Sequence, residues 1–148
     1  MWMRGPARTF ALVPDQRPAR GILDTSVVID LEQIDPSRLP IEVAISTITM
    51  AELAAGPHAT PDPEERARRQ DRLQRAEAAF DPLPFDAEAA RAYGRIYAAV
   101  VAAGRKARGA RAVDLLVAAV ACAAGLPLYT RNSDDFRALG NLVDVVAV

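Results

Sequence analysis

The sequence predicts an α/β domain built on a mainly parallel sheet with helices on both faces. Three observations predict it. From Gly21 to Val148, short apolar or β-branched runs alternate with helical patterns, the order expected of βα units. Several of the strand candidates are near-continuous apolar runs, as strands buried on both faces are. Acids recur where such a run meets a helix: Asp24, Glu52, Asp114 and the pair Asp134–Asp135. In an open α/β sheet the carboxyl ends of the strands are where ligands bind, so these acids are expected to meet at one edge.

Each element follows in turn. Residues 1–20 carry Pro6, Pro14 and Pro18 among four arginines without a clear period, and are expected to be an extension before the domain, with Met3 as an alternative start. The domain proper is set at 21–148. Ile22–Leu23 starts a short buried strand that ends at Asp24, and Thr25–Ser26 can cap a helix over Val27–Gln33. Pro36 and Pro40 mark a turn. Val43–Thr47 reads as a second strand, and Met50–Ala55 as a short helix stopped by Gly56–Pro57.

Pro61–Pro63 opens a long polar helix, Glu64–Phe80, with only Leu73, Ala76 and Phe80 as an apolar stripe. Its arginines 66, 68, 69, 72 and 75 are read as a solvated face. Pro82–Phe85 is at most a short third strand. Asp86 caps a helix to Ala103, in which Ala90, Tyr93, Tyr97 and Val100 fall at helical spacing and are expected in the core. Gly104–Arg111 is a basic loop. Ala112–Ala124 is a nearly all-apolar helix, hence a buried one, and Gly125 ends it. Leu128–Thr130 and Val143–Val148 complete the strands. No repeat, linker or second domain is evident.

Composition narrows the function. A chain of 148 residues with 51% hydrophobic content suits one folded domain. The formal net charge of −1 gives no global basic field. Lys106 is the only lysine. Arginine forks suit phosphate, although a GC-rich genome accounts for most of the arginine excess. Cys122 stands alone, which excludes an internal disulfide or a cysteine zinc site and leaves a small buried hydrophobe. His58 is the only histidine and sits in the loop-like Gly56–Pro57–His58, poorly placed for a Ser/His/Asp triad. There is no signal-peptide h-region, and the longest apolar run, Leu115–Leu126, is shorter than the roughly 20 residues of a membrane span. A soluble, cytoplasmic protein is expected. The absence of Gly-x-Gly-x-x-Gly and P-loop motifs argues against a nucleotide cofactor.

Every acid also has an ordinary structural role. Asp24 suits a helix N-cap. Glu52 completes Thr49-Met50-Ala51-Glu52, a capping-box pattern. Asp114 and Asp134–Asp135 could complement helix dipoles. Their common position carries more weight than any one residue. Asp114 directly precedes a helix too apolar to lie anywhere but inside, so its charge needs a partner: a cation, or Arg111 nearby. Clustered carboxylates with neither His nor Cys are hard oxygen ligands and point to Mg²⁺ or Mn²⁺.

Four stretches in order, Ile22-Leu23-Asp24-Thr25-Ser26, Thr49-Met50-Ala51-Glu52-Leu53, Asp114-Leu115-Leu116-Val117-Ala118-Ala119 and Thr130-Arg131-Asn132-Ser133-Asp134-Asp135-Phe136, resemble the PIN-domain ribonucleases, specifically the VapC toxins of type II toxin–antitoxin pairs. The resemblance covers Gly21 to the C-terminus. It implies a three-layer α/β/α sandwich and a Mg²⁺-dependent endoribonuclease, with Mn²⁺ as an alternative ion. It also implies a homodimer neutralised by a cognate antitoxin. The first three acids of that family carry over to Asp24, Glu52 and Asp114. The fourth falls at Asp135, with Asp134 adjacent as the alternative. Asp24, Asp114 and Asp135 are then the metal ligands. Thr25, Thr130 and Asn132 are contacts near metal or phosphate. Arg105, Lys106, Arg108 and Arg111 either grip the RNA backbone or form a solvated loop. The extension before Gly21 departs from the family's usual start. Two rival readings stay open: a non-catalytic module of the same fold that binds RNA or protein, and an aspartate-dependent phosphatase. The second lacks the Asp-x-Asp it needs, since Asp24 is followed by Thr25-Ser26.

Overall fold

The computed structural model describes residues 2–4 and 17–148. The expectation of an extension over residues 1–20 therefore falls partly outside the described residues. Among the described residues five strands form one sheet: β1 (Met3–Arg4), β2 (Arg20–Leu23), β3 (Glu42–Ala44), β4 (Leu128–Thr130) and β5 (Val145–Ala147). Their order is β1-β3-β2-β4-β5. The four from β2 onward pair parallel, and β1 pairs antiparallel on the β3 edge.

Five α-helices connect them: α1 (Thr25–Ile29), α2 (Thr47–Ala55), α3 (Pro63–Ala79), α4 (Ala87–Ala102) and α5 (Ala110–Ala124). Strand alternation splits the core in two. Ile22, Ala44 and Leu128 face α4 and α5, where Ile96, Val100, Leu115, Val117 and Ala118 pack. Leu23, Val43 and Tyr129 point to the other face, covered by Val27, Val28, Leu53, Leu73 and Ala76 of α1–α3. A sheet buried on both sides is the expected α/β/α sandwich. Among the described residues no helix is long and apolar enough to cross a membrane.

Several boundaries differ from expectation for local reasons. Asp24, not Thr25–Ser26, is the N-cap of α1; α1 stops at Ile29, and a separate 3₁₀ turn occupies Leu31–Gln33. The second strand is only Glu42–Ala44, because Ser46 caps α2 and draws its start back to Thr47. Pro82–Phe85 contributes one bridge, Leu83 opposite Ser46, and no strand of its own. α5 starts at Ala110, so Arg111 lies inside the helix and the basic loop is shorter than expected. Of the four residues expected in the core from α4, only Val100 is buried, and Tyr97 is 47% exposed. α4 packs through Ala89, Ala92 and Ile96 instead, small and branched residues that let it lie close to α5. The expected end of α5 holds: Gly125 adopts φ +66° and its N–H bonds the Cys122 carbonyl, a left-handed cap that glycine adopts without strain.

The chain passes from β2 to β3 on one side and then to β4 on the other. The switch in direction lies between β2 and β4, and in open α/β sheets ligands bind at such a point, beyond the carboxyl ends of the strands. Asp24 follows β2 there, and Thr130 ends β4.

Candidate active site

Asp24 is 2% exposed, and a carboxylate this deep needs partners. It has three. Oδ1 accepts the Thr25 N–H at 2.7 Å. Oδ2 accepts the Thr130 hydroxyl at 2.7 Å and the Ser26 hydroxyl at 3.0 Å. Ser26 Oγ in turn accepts the Arg131 N–H at 3.2 Å, and Thr130 Oγ1 accepts the Asn132 N–H at 3.0 Å. The ends of β2 and β4 are thus sewn together through one carboxylate. Asn132 is exposed and reaches this network through its backbone N–H.

Glu52 comes from α2. It does not close a capping box, since the helix is capped by Ser46, whose Oγ accepts the Thr49 N–H at 3.0 Å. Glu52 sits a turn further in, and its Oε1 accepts the Thr25 hydroxyl at 2.7 Å. Burial pushes its carboxyl above the usual value; the Thr25 bond opposes this and the Asp24 charge adds to it. Asp114 projects from the second turn of α5, past the helix start, where it cannot serve as a first-turn acid. Its carboxyl is pushed up from 3.8 to about 7, mainly by burial, then by the charges of Asp24, Glu52 and Asp135, with Arg111 opposing. Four acids from four separate elements therefore share one field.

Asp135 lies in a 3₁₀ helix, Ser133–Leu139. Arg111 stands 3.9 Å from its carboxylate. Asp134 is turned outward, 82% exposed, and paired with Arg137 at 2.5 Å. The adjacent aspartates are thus distinguished by their neighbours: Asp135 adds to the field at Asp114, and Asp134 turns to Arg137. Arg105 is tied to the Asp134 carbonyl at 2.9 Å. Arg108 and Lys106 are exposed and make no ion pair among the described residues. The four basic residues expected to act alike therefore divide: Arg105 from the loop and Arg111 from α5 brace against the 3₁₀ helix, and Lys106 and Arg108 stay exposed.

The donor set fits a hard divalent cation: carboxylate oxygens that repel one another, with hydroxyls around them and no soft ligand. Among the described residues no three acids stand close enough, as their side chains lie, to enclose an ion. Sequence reasoning did not pick out Ser26, Ser46 or Thr49 as part of this network. Ser26 had a signal, two residues from an acid at a strand end. Thr49 was hidden by its capping-box pattern.

Acids gathered at the switch point of a parallel sheet frame the site, and the family is shown by likeness. The chain belongs to the PIN domain family, whose model matches residues 21–142. Among its relatives is Ribonuclease VapC5 of Mycobacterium tuberculosis, 39% identical over 131 residues, 86% of this chain and 93% of that protein. VapC ribonuclease Y4jK of Sinorhizobium fredii is 32% identical over 80% of this chain and 91% of its own length. The crystal structure of VapBC-5, a toxin–antitoxin system of M. tuberculosis, aligns with a TM-score of 0.78 at 38% identity, covering 88% of this chain and all of that one (100%).

Proposed function

We propose that this chain is a Mg²⁺-dependent endoribonuclease, the toxin of a toxin–antitoxin pair, acting in the cytoplasm, with residues 21–148 as the nuclease domain. The observation that carries this reading is the field at Asp114, raised to about 7 by burial and by three other acids. Such a cluster is costly to a fold that gains nothing from it.

Asp24, Asp114 and Asp135 would hold Mg²⁺, with Mn²⁺ able to replace it. Bound there, the cation supplies positive charge for a scissile phosphate and lowers the pKa of a bound water. The protein does the rest by position. Thr130 and Ser26 fix the Asp24 carboxylate from one side and Thr25 N–H from the other. Glu52, oriented by Thr25, has Oε2 free of hydrogen bonds among the described residues and is placed to orient the attacking water. Thr25, Thr130 and Asn132 shape this edge of the site through the acids: Thr25 gives its proton to Glu52, and Thr130 gives its proton to Asp24 while accepting the Asn132 N–H. Arg108 and Lys106 reach outward toward the RNA backbone, while Arg105 and Arg111 hold the loop and Asp135 in place. No serine, cysteine or histidine nucleophile is needed, since in-line hydrolysis depends on positioned charge.

The relatives support a cognate antitoxin as partner, as in VapBC-5, and this reading adds a second copy of the chain. The exposed Tyr97 and Val101 of α4 support a homodimer face. The test is cleavage of a mixed RNA by the purified chain with Mg²⁺ or Mn²⁺. Cutting should stop in EDTA and return with added metal. Cutting that persists in excess chelator, or that Asp24→Asn and Asp114→Asn leave intact, overturns the reading.

A further inference from the structure

Glu52, partly buried at the site, is held by a row of buried hydroxyls whose protons can be counted. Thr25 Oγ1 lies 2.7 Å from Glu52 Oε1 and 3.0 Å from Thr49 Oγ1. Ser46 Oγ lies 3.4 Å from Thr49 Oγ1 and accepts the Thr49 N–H at 3.0 Å. Thr49 and Ser46 are both 0% exposed, so their hydroxyls lie out of reach of the bulk solvent. A hydroxyl has one proton to give. A carboxylate has none, and a charge-assisted bond is the stronger. Thr25 therefore gives its proton to Glu52. Thr25 Oγ1 is aimed at Thr49 as well as at Glu52, so with its one proton on the carboxylate the 3.0 Å contact is kept by the Thr49 proton and the 3.4 Å contact by that of Ser46.

We infer that Thr49 is a positioning residue for the cleavage reaction: with Ser46 behind it, it fixes the Thr25 hydroxyl so that its proton points to Glu52. This rests on the nuclease reading of the site and adds to it a one-way hydrogen-bond relay, Ser46 to Thr49 to Thr25 to Glu52. The cap of α2 is thereby joined to an acid a turn further along the same helix by way of a residue on α1. Thr49 is three residues from Glu52 in sequence, where a capping box would make its hydroxyl and Glu52 serve the helix end. The structure gives the cap to Ser46 and leaves Thr49 free for Thr25.

The variants are Thr49→Val, which keeps the shape and loses the hydroxyl, and Thr49→Ser, which keeps the hydroxyl. With wild-type cleavage established, Thr49→Val should lower kcat roughly three- to tenfold, the range a single neutral hydrogen bond commands, with KM little changed. Thr49→Ser should restore most of the rate. In a Glu52→Gln background, Thr49→Val should have no further effect on the residual rate, because residues that act as a unit are not additive. A loss that persists undiminished in that background, or a Ser variant as slow as Val, overturns the relay.

A second measurement does not depend on activity. Buried hydroxyl protons exchange slowly, and those of Thr25 and Thr49 should be visible by NMR in the metal-free protein. Glu52→Gln should move the Thr25 hydroxyl signal and, through it, that of Thr49. If the Thr49 signal stays put, or Thr49→Val leaves the Thr25 signal unmoved, the relay is wrong whether or not RNA is cut. If the signals move together and wild type cuts no RNA in either metal, the relay stands and the nuclease reading falls.

Discussion

Removing the charge of Asp114 should stabilise the metal-free protein, and the gain should depend on pH in a defined direction. The Asp114 carboxyl is raised from 3.8 to about 7 by burial, then by Asp24, Glu52 and Asp135. Below 3.8 it is protonated in both folded and unfolded chains, so the native site bears no cost. Between 3.8 and about 7 the unfolded chain gives up the proton while the folded one keeps it, and stability falls as pH rises. Above about 7 the loss is complete. At 1.36 kcal/mol per pH unit this interval amounts to about 4 kcal/mol. Asp114 is only half-buried, so solvent screening reduces the figure to roughly 2 kcal/mol. Asp114→Asn keeps the size and the amide's hydrogen-bonding ability and cannot ionise. In EDTA its Tm should match wild type below about pH 3.8 and exceed it by about 4–8 °C at pH 8, at about 2–4 °C per kcal/mol for a chain of this size. The assay is thermal melting followed by circular dichroism, for both proteins, across that pH range. Added Mg²⁺ should raise the wild-type Tm at pH 8, since a ligand of the folded state stabilises it, and should do little for the variant. A Tm difference that does not change with pH, or an Asn variant that melts lower at pH 8, refutes the shared field.

Three further outcomes are expected. Arg108→Ala with Lys106→Ala should weaken RNA binding regardless of sequence and lower the slope of log affinity against log salt by about one per residue; fluorescence anisotropy over a salt series reads this, and an unchanged slope means these two side chains touch no phosphate. Gly21→Ala would set a Cβ 2.5 Å from Cε1 of the buried Tyr129 ring and 3.0 Å from Pro40 Cγ, and should cost about 1–3 kcal/mol, as overpacked cores do; urea unfolding checks it, and a neutral result means the ring can turn aside. A complex with the cognate antitoxin should leave RNA uncut under conditions in which the free chain cuts it; a complex as active as the free chain removes the toxin–antitoxin part of the proposal.

By itself the sequence determined the class of fold and the acids at its edge. Strand after helix, apolar runs without alternation and one helix too apolar to face water leave few arrangements other than a two-faced parallel sheet. Those are local and periodic signals, and they carried through to β2, β3, β4, β5 and the buried α5. The tertiary structure decided what each polar side chain does, because its partners are far away in the chain. Asp24 meets Thr130 across 106 positions, and Thr25 meets Thr49 across 24. From sequence, Glu52 fits a capping box as well as a site; only the packing of α1 against α2, which brings Thr25 to it, makes the difference. The four basic residues near Gly104 look equivalent in one dimension, and the turn that brings the 3₁₀ helix beside them ties down Arg105 and Arg111 and leaves Lys106 and Arg108 to the solvent. Helical spacing likewise placed the α4 tyrosines on a core face, yet α5 is lined with alanines and valines, and close packing of two helices selects the small-residue side of α4, leaving Tyr97 outside. Periodicity can be read along a chain, whereas the partner of a hydroxyl or a charge is fixed only when elements distant in sequence meet.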